Sequence, residues 1–226
     1  MSQSKPQNLH VSYIAPNPAT KFNPESVCPS IDESAYIGPF SSVIGDVTIA
    51  KNVYVAPNVS LRADEGSPFF IDEDTNLQDG VIMHGLAHGR VEQDGKQYSV
   101  YIGKRVSCAH GAILHGPCKV EDDCFVGFYA VLLNCVIGAG TFVGHGAFVT
   151  GGVIVPPNRF IPPRAVIETQ EAADALIPIP KDKTEFAQEV IEVNNEFPNT
   201  YSFLFGEARC SCGMAYDPAS VKDILG

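Results

Sequence analysis

Basic residues are scarce in this chain. Its 15 Lys and Arg stand against 26 Asp and Glu, a formal net charge of −11. Nucleic acids and anionic membrane surfaces are bound through basic patches, so neither is an expected partner. Long apolar runs are also missing: no stretch approaches the roughly eighteen residues that mark a membrane-spanning helix. The opening MSQSKPQNLHVSYIAPNPATKF lacks the apolar centre of a signal peptide, which makes the cytoplasm the expected location. No C-x-x-C pair occurs among the seven cysteines, and this argues against a structural zinc ribbon. Glycine (20) and proline (17) are plentiful instead, as suits a fold with many tight corners.

What fills the chain is a six-residue apolar period. Ile31, Ile37, Val43, Ile49, Val55 and Leu61 fall on it, then Ile71, Leu77 and Met83. It resumes at Ile102, Cys108, Leu114, Val120, Val126 and Leu132, and again from Ile137 through Val143, Val149, Val155 and Ile161 to Ile167. Small or β-branched residues such as Val47, Val53, Ala112 and Ala130 recur four places after these. A strand repeats every second residue and an amphipathic helix about every 3.6, so a period of six over this length points to neither alone. It predicts a mainly β fold, a left-handed parallel β-helix whose triangular coils each take three hexapeptides.

The breaks in the period locate insertions. Leu61 to Ile71 is ten residues, an insertion of four near Glu65-Gly66-Ser67-Pro68, and Met83 to Ile102 is nineteen, an insertion of thirteen expected as a surface loop near Ala87 to Ser99. With these removed and the coils stacked, Arg62, His84 and His115 share one column, each directly after an inward apolar residue. Asp79 and His110 share a second column, each two places after one. Strands one coil apart lie about 5 Å apart, so His84 and His115 are close enough to share a metal ion. His110 falls on a different face and would have to come from a neighbouring chain, which suggests a trimer with one site per interface.

The organisation read from this pattern is an N-terminal extension over 1–30, the β-helix over 31–169, and a C-terminal helix and tail over 170–226. Gln170 to Leu176 reads as a short helical turn. Thr184 to Phe197 reads as an amphipathic helix packed along the prism, capped by Thr184, ended by Pro198 and carrying Phe186, Val190, Ile191, Val193, Asn194 and Phe197 on or near one face. In the tail, Tyr201, Phe203, Leu204 and Phe205 suggest docking. Cys108, Cys118, Cys124 and Cys135 occupy repeat positions and read as core filling. Cys210 and Cys212 are too close in sequence to pair comfortably with each other. Either could pair elsewhere, with Cys28 for instance, or stay free. His145 and His10 read as surface or interface residues.

Several segments resemble the signatures of gamma-class carbonic anhydrases: Ser60-Leu61-Arg62-Ala63-Asp64-Glu65-Gly66, Thr75-Asn76-Leu77-Gln78-Asp79-Gly80, His84-Gly85, and Ala109-His110-Gly111-Ala112-Ile113-Leu114-His115-Gly116-Pro117. Tyr98-Ser99-Val100-Tyr101-Ile102-Gly103 and Gly89-Arg90-Val91 add a likeness to the carbonic-anhydrase-like domains of cyanobacterial beta-carboxysomes. The resemblance implies a homotrimer that hydrates carbon dioxide reversibly to bicarbonate through a metal-bound hydroxide. Its metal would be bound by His84, His110 and His115, with His110 from the adjacent subunit. Zinc is the usual metal for three histidines, and iron(II) or cobalt(II) could replace it. The resemblance assigns Gln78 to a hydrogen bond with the hydroxide or bicarbonate and Arg62 and Asp64 to an ion pair near the interface. Asn76 and Asp79 would support the ligands, and Asn194 would lie near the substrate.

There are departures from the family. The loop from Leu86 to Ser99 is shorter than the one carrying the archaeal enzyme's glutamate proton shuttle and offers only His88, Glu92 and Asp94. Glu192 stands where the family has a tyrosine. The spacing of Cys210 and Cys212 differs from that of the cysteine pair forming an activating disulfide in carboxysomal members. Two other functions stay open: a non-catalytic carboxysome scaffold binding shell proteins or Rubisco, and a hexapeptide acyltransferase, against which the three-histidine phase argues.

Overall fold

In the computed structural model, which describes residues 12–205 and gives only the backbone for 202–205, the hexapeptide positions become the inside of a parallel β-helix. From Ile37 to Ile161 every one of them is buried, most of them completely. Each inward Val, Leu or Ile so removed from water contributes roughly 1.5–3 kcal/mol before entropy is counted. Cys108, Cys118, Cys124 and Cys135 lie in this interior as free thiols. Burial pushes the Cys124 thiol up to about 12, with Glu121 and Asp123 adding to the rise.

The coils present three faces. The first carries Ser42–Gly45, Ser60–Ala63 and Ile82–Gly85 in parallel register. The second carries Val47–Ile49, Phe69–Ile71 and Val100–Ile102. The third carries Tyr36–Ile37, Tyr54–Val55, Asn76–Leu77, Ser107–Cys108, Phe125–Val126, Phe142–Val143 and Phe160–Ile161. Strands Ile113–Val120 and Val131–Ile137 turn a corner and serve the first two faces in succession. A register shift between His115 and Cys118 absorbs the residue by which the step from Leu132 to Ile137 falls short of six. Backbone corners are left-handed at Asn58, Gly80, Gly111 and Tyr129.

Four expectations need correction. The segment expected to precede the β-helix supplies the strand Tyr13–Ala15, which pairs with Ser42–Ile44 on the first face. The thirteen-residue insertion is not simply a loop: Val91–Gln93 and Lys96–Tyr98 form an antiparallel hairpin. Asp94 and Gly95, both at positive φ (52° and 74°), make its turn, the Asp-Gly pair that suits a two-residue hairpin connection.

The helices complete the corrections. Helix α1 spans Gln170–Asp174, with Thr169 Oγ1 accepting from Ala172 N–H. Helix α2 spans Lys181–Asn195 and starts three residues before Thr184. Pro180, extended at φ −66°, is its N-cap and accepts from Lys183 N–H. The first turn is polar, so apolar spacing could not reveal it. Pro198 does not end the helical region. It is the second residue of α3, Phe197–Phe205, where a missing N–H costs little.

Helices α2 and α3 cover the third face, whose outward side chains are aromatic apart from Asn76 and Ser107. Phe186 meets Phe125 edge-on at 5.4 Å, Phe197 meets Tyr54 at 5.1 Å, and Tyr201 stacks on Tyr36 at 5.3 Å. Burial and the neighbouring Tyr201 push the Tyr36 hydroxyl up to about 12. Among the described residues no helix is long and apolar enough to cross a membrane. Cys28 is disulfide-bonded, whereas His10, Cys210 and Cys212 lie outside the described residues, as do the side chains of Phe203, Leu204 and Phe205.

Candidate metal centre

Two groups of side chains stand on different parts of the prism. On the first face His84 and His115 are direct register partners. Strands put alternate residues on opposite sides. Met83 and Leu114, one residue earlier, are fully buried, so both imidazoles point out. His84 Nδ1 lies 3.3 Å from His115 Nε2. The outer nitrogens meet acceptors: His84 Nε2 is 3.1 Å from Asp64 Oδ1, and His115 Nδ1 is 3.2 Å from the Gly116 carbonyl. If both outer nitrogens donate, the inner two are bare and face each other. A proton between them would need either one doubly protonated ring or one outer nitrogen left bare against its acceptor.

Two bare nitrogens facing each other also suit a metal ion. Zinc–nitrogen bonds of about 2.0–2.1 Å at a tetrahedral angle put two nitrogens about 3.3–3.4 Å apart, which the observed 3.3 Å matches. An outer N–H donated to a carboxylate or carbonyl is also the usual support for a ligating histidine. Asp64 has a second contact, 3.6 Å from an Arg62 guanidinium nitrogen. It thus links the expected ion pair to His84, a role beyond the pairing read from sequence. Glu65 stands 3.9 Å from His84 Nε2 and accepts from Ala87 N–H at 3.1 Å.

The second group lies at the corner after the third face. His110 Nδ1 is 3.1 Å from Asp79 Oδ2, the same support again, leaving Nε2 available. Gln78, buried beside it, donates through Nε2 to Asn76 Oδ1 at 3.1 Å, and Asn76 donates in turn to Ser107 Oγ at 2.8 Å. This chain fixes the Gln78 amide and leaves its Oε1 as an acceptor. Asn194 on α2 donates to the Val190 carbonyl at 2.8 Å. Gln78, Asp79, His110 and Asn194 line one cavity of about 560 Å³ whose other walls include Phe128, Phe186 and Val193.

The structure therefore brings His84 and His115 together with Asp64, and His110 together with Asp79, Gln78 and Asn194. It does not unite the two sets in one chain: among the described residues no group of three or more His, Cys, Asp or Glu is placed so that it could hold a metal ion. Among the aromatic walls of the cavity, Tyr54 and Phe125 stand one place before the inward Val55 and Val126, whereas Phe186 on α2 has no place in the six-residue period. Phe128 falls two places after Val126, as His110 does after Cys108.

Residues 29–63 match the family described as bacterial transferase hexapeptide (six repeats). Over 188 residues the chain is 44% identical to the carboxysome assembly protein CcmM of Nostoc sp., covering 83% of this chain and 34% of that protein. Over 137 residues it is 47% identical to the carbonic anhydrase of Methanosarcina thermophila, covering 56% of each. Both proteins are close homologues of this chain. The chain spans only about a third and about half, respectively, of the lengths of these two relatives. The solved structure of the Bacillus cereus BC4754 gene product superposes with a TM-score of 0.65 at 23% identity, covering 85% of this chain and 98% of that one. That likeness concerns the fold alone.

Proposed function

We propose that this chain is a metal-dependent carbonic anhydrase, with one site at each interface of a homotrimer. The observation that carries this reading is the way the three histidines are prepared. Each has one ring nitrogen engaged by Asp64, the Gly116 carbonyl or Asp79, and each thereby presents the other bare. His84 and His115 of one subunit and His110 of the next make a three-nitrogen set that leaves coordination positions open. A bound zinc, or iron(II) or cobalt(II), supplies a Lewis-acidic centre that makes water a nucleophile near neutral pH.

The protein's own groups do the rest. Gln78, its N–H held by Asn76, offers Oε1 to the nucleophile's hydrogen and so turns a lone pair toward carbon dioxide. Phe128, Phe186 and Val193 form an apolar wall suited to an apolar gas. Asn194 places a polar group at the same wall. Carbon dioxide and water give bicarbonate and one proton, and that proton leaves to solvent.

An interface is supported by the first face. Ile82, Ile113, Val131, Phe148 and Val166 are consecutive register partners pointing outward, two places before the histidine column. Ile82 is 42% and Val166 58% exposed in the single chain. Such an apolar stripe calls for a partner surface.

The 44% identity to a carboxysome assembly protein over most of the chain favours a second reading. On it, the domain is a scaffold inside a carboxysome that binds shell proteins or Rubisco and keeps the metal without turnover. Carbon dioxide hydration, measured with metal content under oxidising and reducing conditions, tests both. About one metal per chain with hydration supports the enzyme. Metal without hydration in either state leaves the scaffold, and no metal after reconstitution rejects the proposed centre.

A further inference from the structure

Asp79, His110, Phe128 and His145 each stand two places after an inward apolar residue: Leu77, Cys108, Val126 and Val143. They occupy one corner in four consecutive coils. Backbone hydrogen bonds hold the coils together there, from Tyr129 N–H to the His110 carbonyl at 3.1 Å and from Gly146 N–H to the Phe128 carbonyl at 2.8 Å. The first two members belong to the metal centre proposed above. Phe128 has had no role beyond a wall of the cavity, and His145 has had none.

Phe128 is a large ring at a corner, with no interior to fill. Its position is set from above and below. The His110 ring lies 5.5 Å away on one side, tilted by 32°. The His145 ring lies 4.5 Å away on the other, stacked at 14°. The backbone is held as well. The ladder pairs Gly127 N–H with the Val143 carbonyl, and the next amide, that of Phe128, donates to His145 Nδ1 at 3.0 Å. That bond defines the tautomer: Nδ1 accepts, so the proton sits on Nε2 and the ring is neutral. Phe125 and Phe142 approach the His145 ring edge-on, at 6.1 and 6.4 Å, and hold it in place.

We infer that His145 is a positioning residue for His110, acting through Phe128, whose amide it binds and whose ring it supports. His110 is then gripped on two sides, by the Asp79 carboxylate at Nδ1 and by the Phe128 ring on its face. Because His110 is the lone ligand of its half-site, no second histidine in the same chain corrects its aim. This assignment rests on His110 being a metal ligand.

Two variants of the full-length chain separate the two contacts. His145→Phe keeps an aromatic ring under Phe128 and removes the acceptor. His145→Asn keeps an acceptor near the place of Nδ1 and removes the ring stacked on Phe128. Hydrogen exchange at the Phe128 amide is measured on metal-free protein. The cobalt(II) absorption spectrum and the rate of cobalt release to a chelator are measured on the loaded trimer. We expect His145→Phe to speed exchange at Phe128 about tenfold, the effect of losing one hydrogen bond. It should also alter the cobalt spectrum and speed release by about tenfold, the lower end of what loss of outer support to a metal ligand costs. His145→Asn should keep the exchange protection and release cobalt more slowly than His145→Phe.

Unchanged exchange in His145→Phe overturns the inference, since the amide contact would then order nothing. Faster exchange with an unchanged spectrum and release rate overturns it too, because Phe128 would be held without consequence for His110. If the unmodified trimer takes up no cobalt, the carbonic anhydrase reading falls and the role of His145 falls with it. Uptake by the unmodified trimer, with no difference in the variants, removes His145 alone.

Discussion

On the first face, His84 and His115 are aligned by strand register, one coil apart, with the interior directly behind them. At the corner, His110 is half exposed and has no histidine neighbour in the next coil. Its orientation comes from a stack of unlike groups, Asp79 on one side and Phe128 with His145 on the other. A pair of ligands in a regular sheet needs little beyond the repeat itself. A single ligand at a corner needs neighbours from several coils. The proposed centre joins one half of each kind, and removing parts of each should show how unequal they are.

The largest effects should come from the ligands. His84→Ala and His110→Ala homotrimers should each lose bound metal and hydration, by more than the roughly 10–100-fold that loss of an outer partner costs. Mixing the two variants breaks the symmetry of the comparison. An interface between intact His84 and His115 on the His110→Ala chain and intact His110 on the His84→Ala chain regains all three ligands. Differentially tagged mixed trimers should therefore recover part of the metal content. Mixed trimers no better than the parents would rule out a shared site.

Gln78→Ala comes next. It should leave metal content intact and lower kcat by about 10²–10³, as removal of one donor or acceptor aimed at the reacting group does. A normal kcat in an otherwise active protein would take Gln78 out of the mechanism.

Asp64→Ala and Asp79→Ala compare the supports of the two halves. Each should weaken metal binding about 10–100-fold, measured by competition with a chelator. Asp79→Ala should be the worse, because His110 has no second ligand in its own chain. Equal losses would mean that both halves are equally dependent on their carboxylates.

The smallest effect is in pH dependence. Burial, and then the Lys183 ammonium on α2, lower the pKa of His145 from its ordinary 6.5. A lowered pKa means that the folded state binds fewer protons, so the contribution is present above pH 6.5 and is lost as pH falls through the lowered value. Thermal unfolding followed from pH 7 to 5 should show this slope, and His145→Phe should flatten it. An identical slope in the variant would assign it to other groups.

Much of this was open to reading because the repeat converts sequence distance into spatial position. The column of His84 and His115 and the column of Asp79 and His110 both follow from counting in sixes once the insertions are removed. The same count puts Phe128 and His145 in the second column, yet a single histidine on a coil reads as a surface residue until its neighbours are seen. The Asp94-Gly95 hairpin also carried a local signal, hidden inside a segment defined only by its excess length. The start of α2 carried almost none: its first turn, Lys181-Asp182-Lys183, is polar and has no apolar phase to follow.

The hexapeptide spacing by itself determined the β-helix, its buried ladder and the register of His84 with His115, because a period of six leaves the chain one economical way to bury its apolar residues. Tertiary structure decided which nitrogen of each histidine is engaged, that Asp64 serves His84, and that Phe128 and His145 stand beside His110. It also decided that α2 and α3 lie over the aromatic third face and complete the cavity with Asn194. These outcomes depend on side-chain rotamers and on contacts between coils and helices far apart in the chain, which spacing along the backbone does not encode.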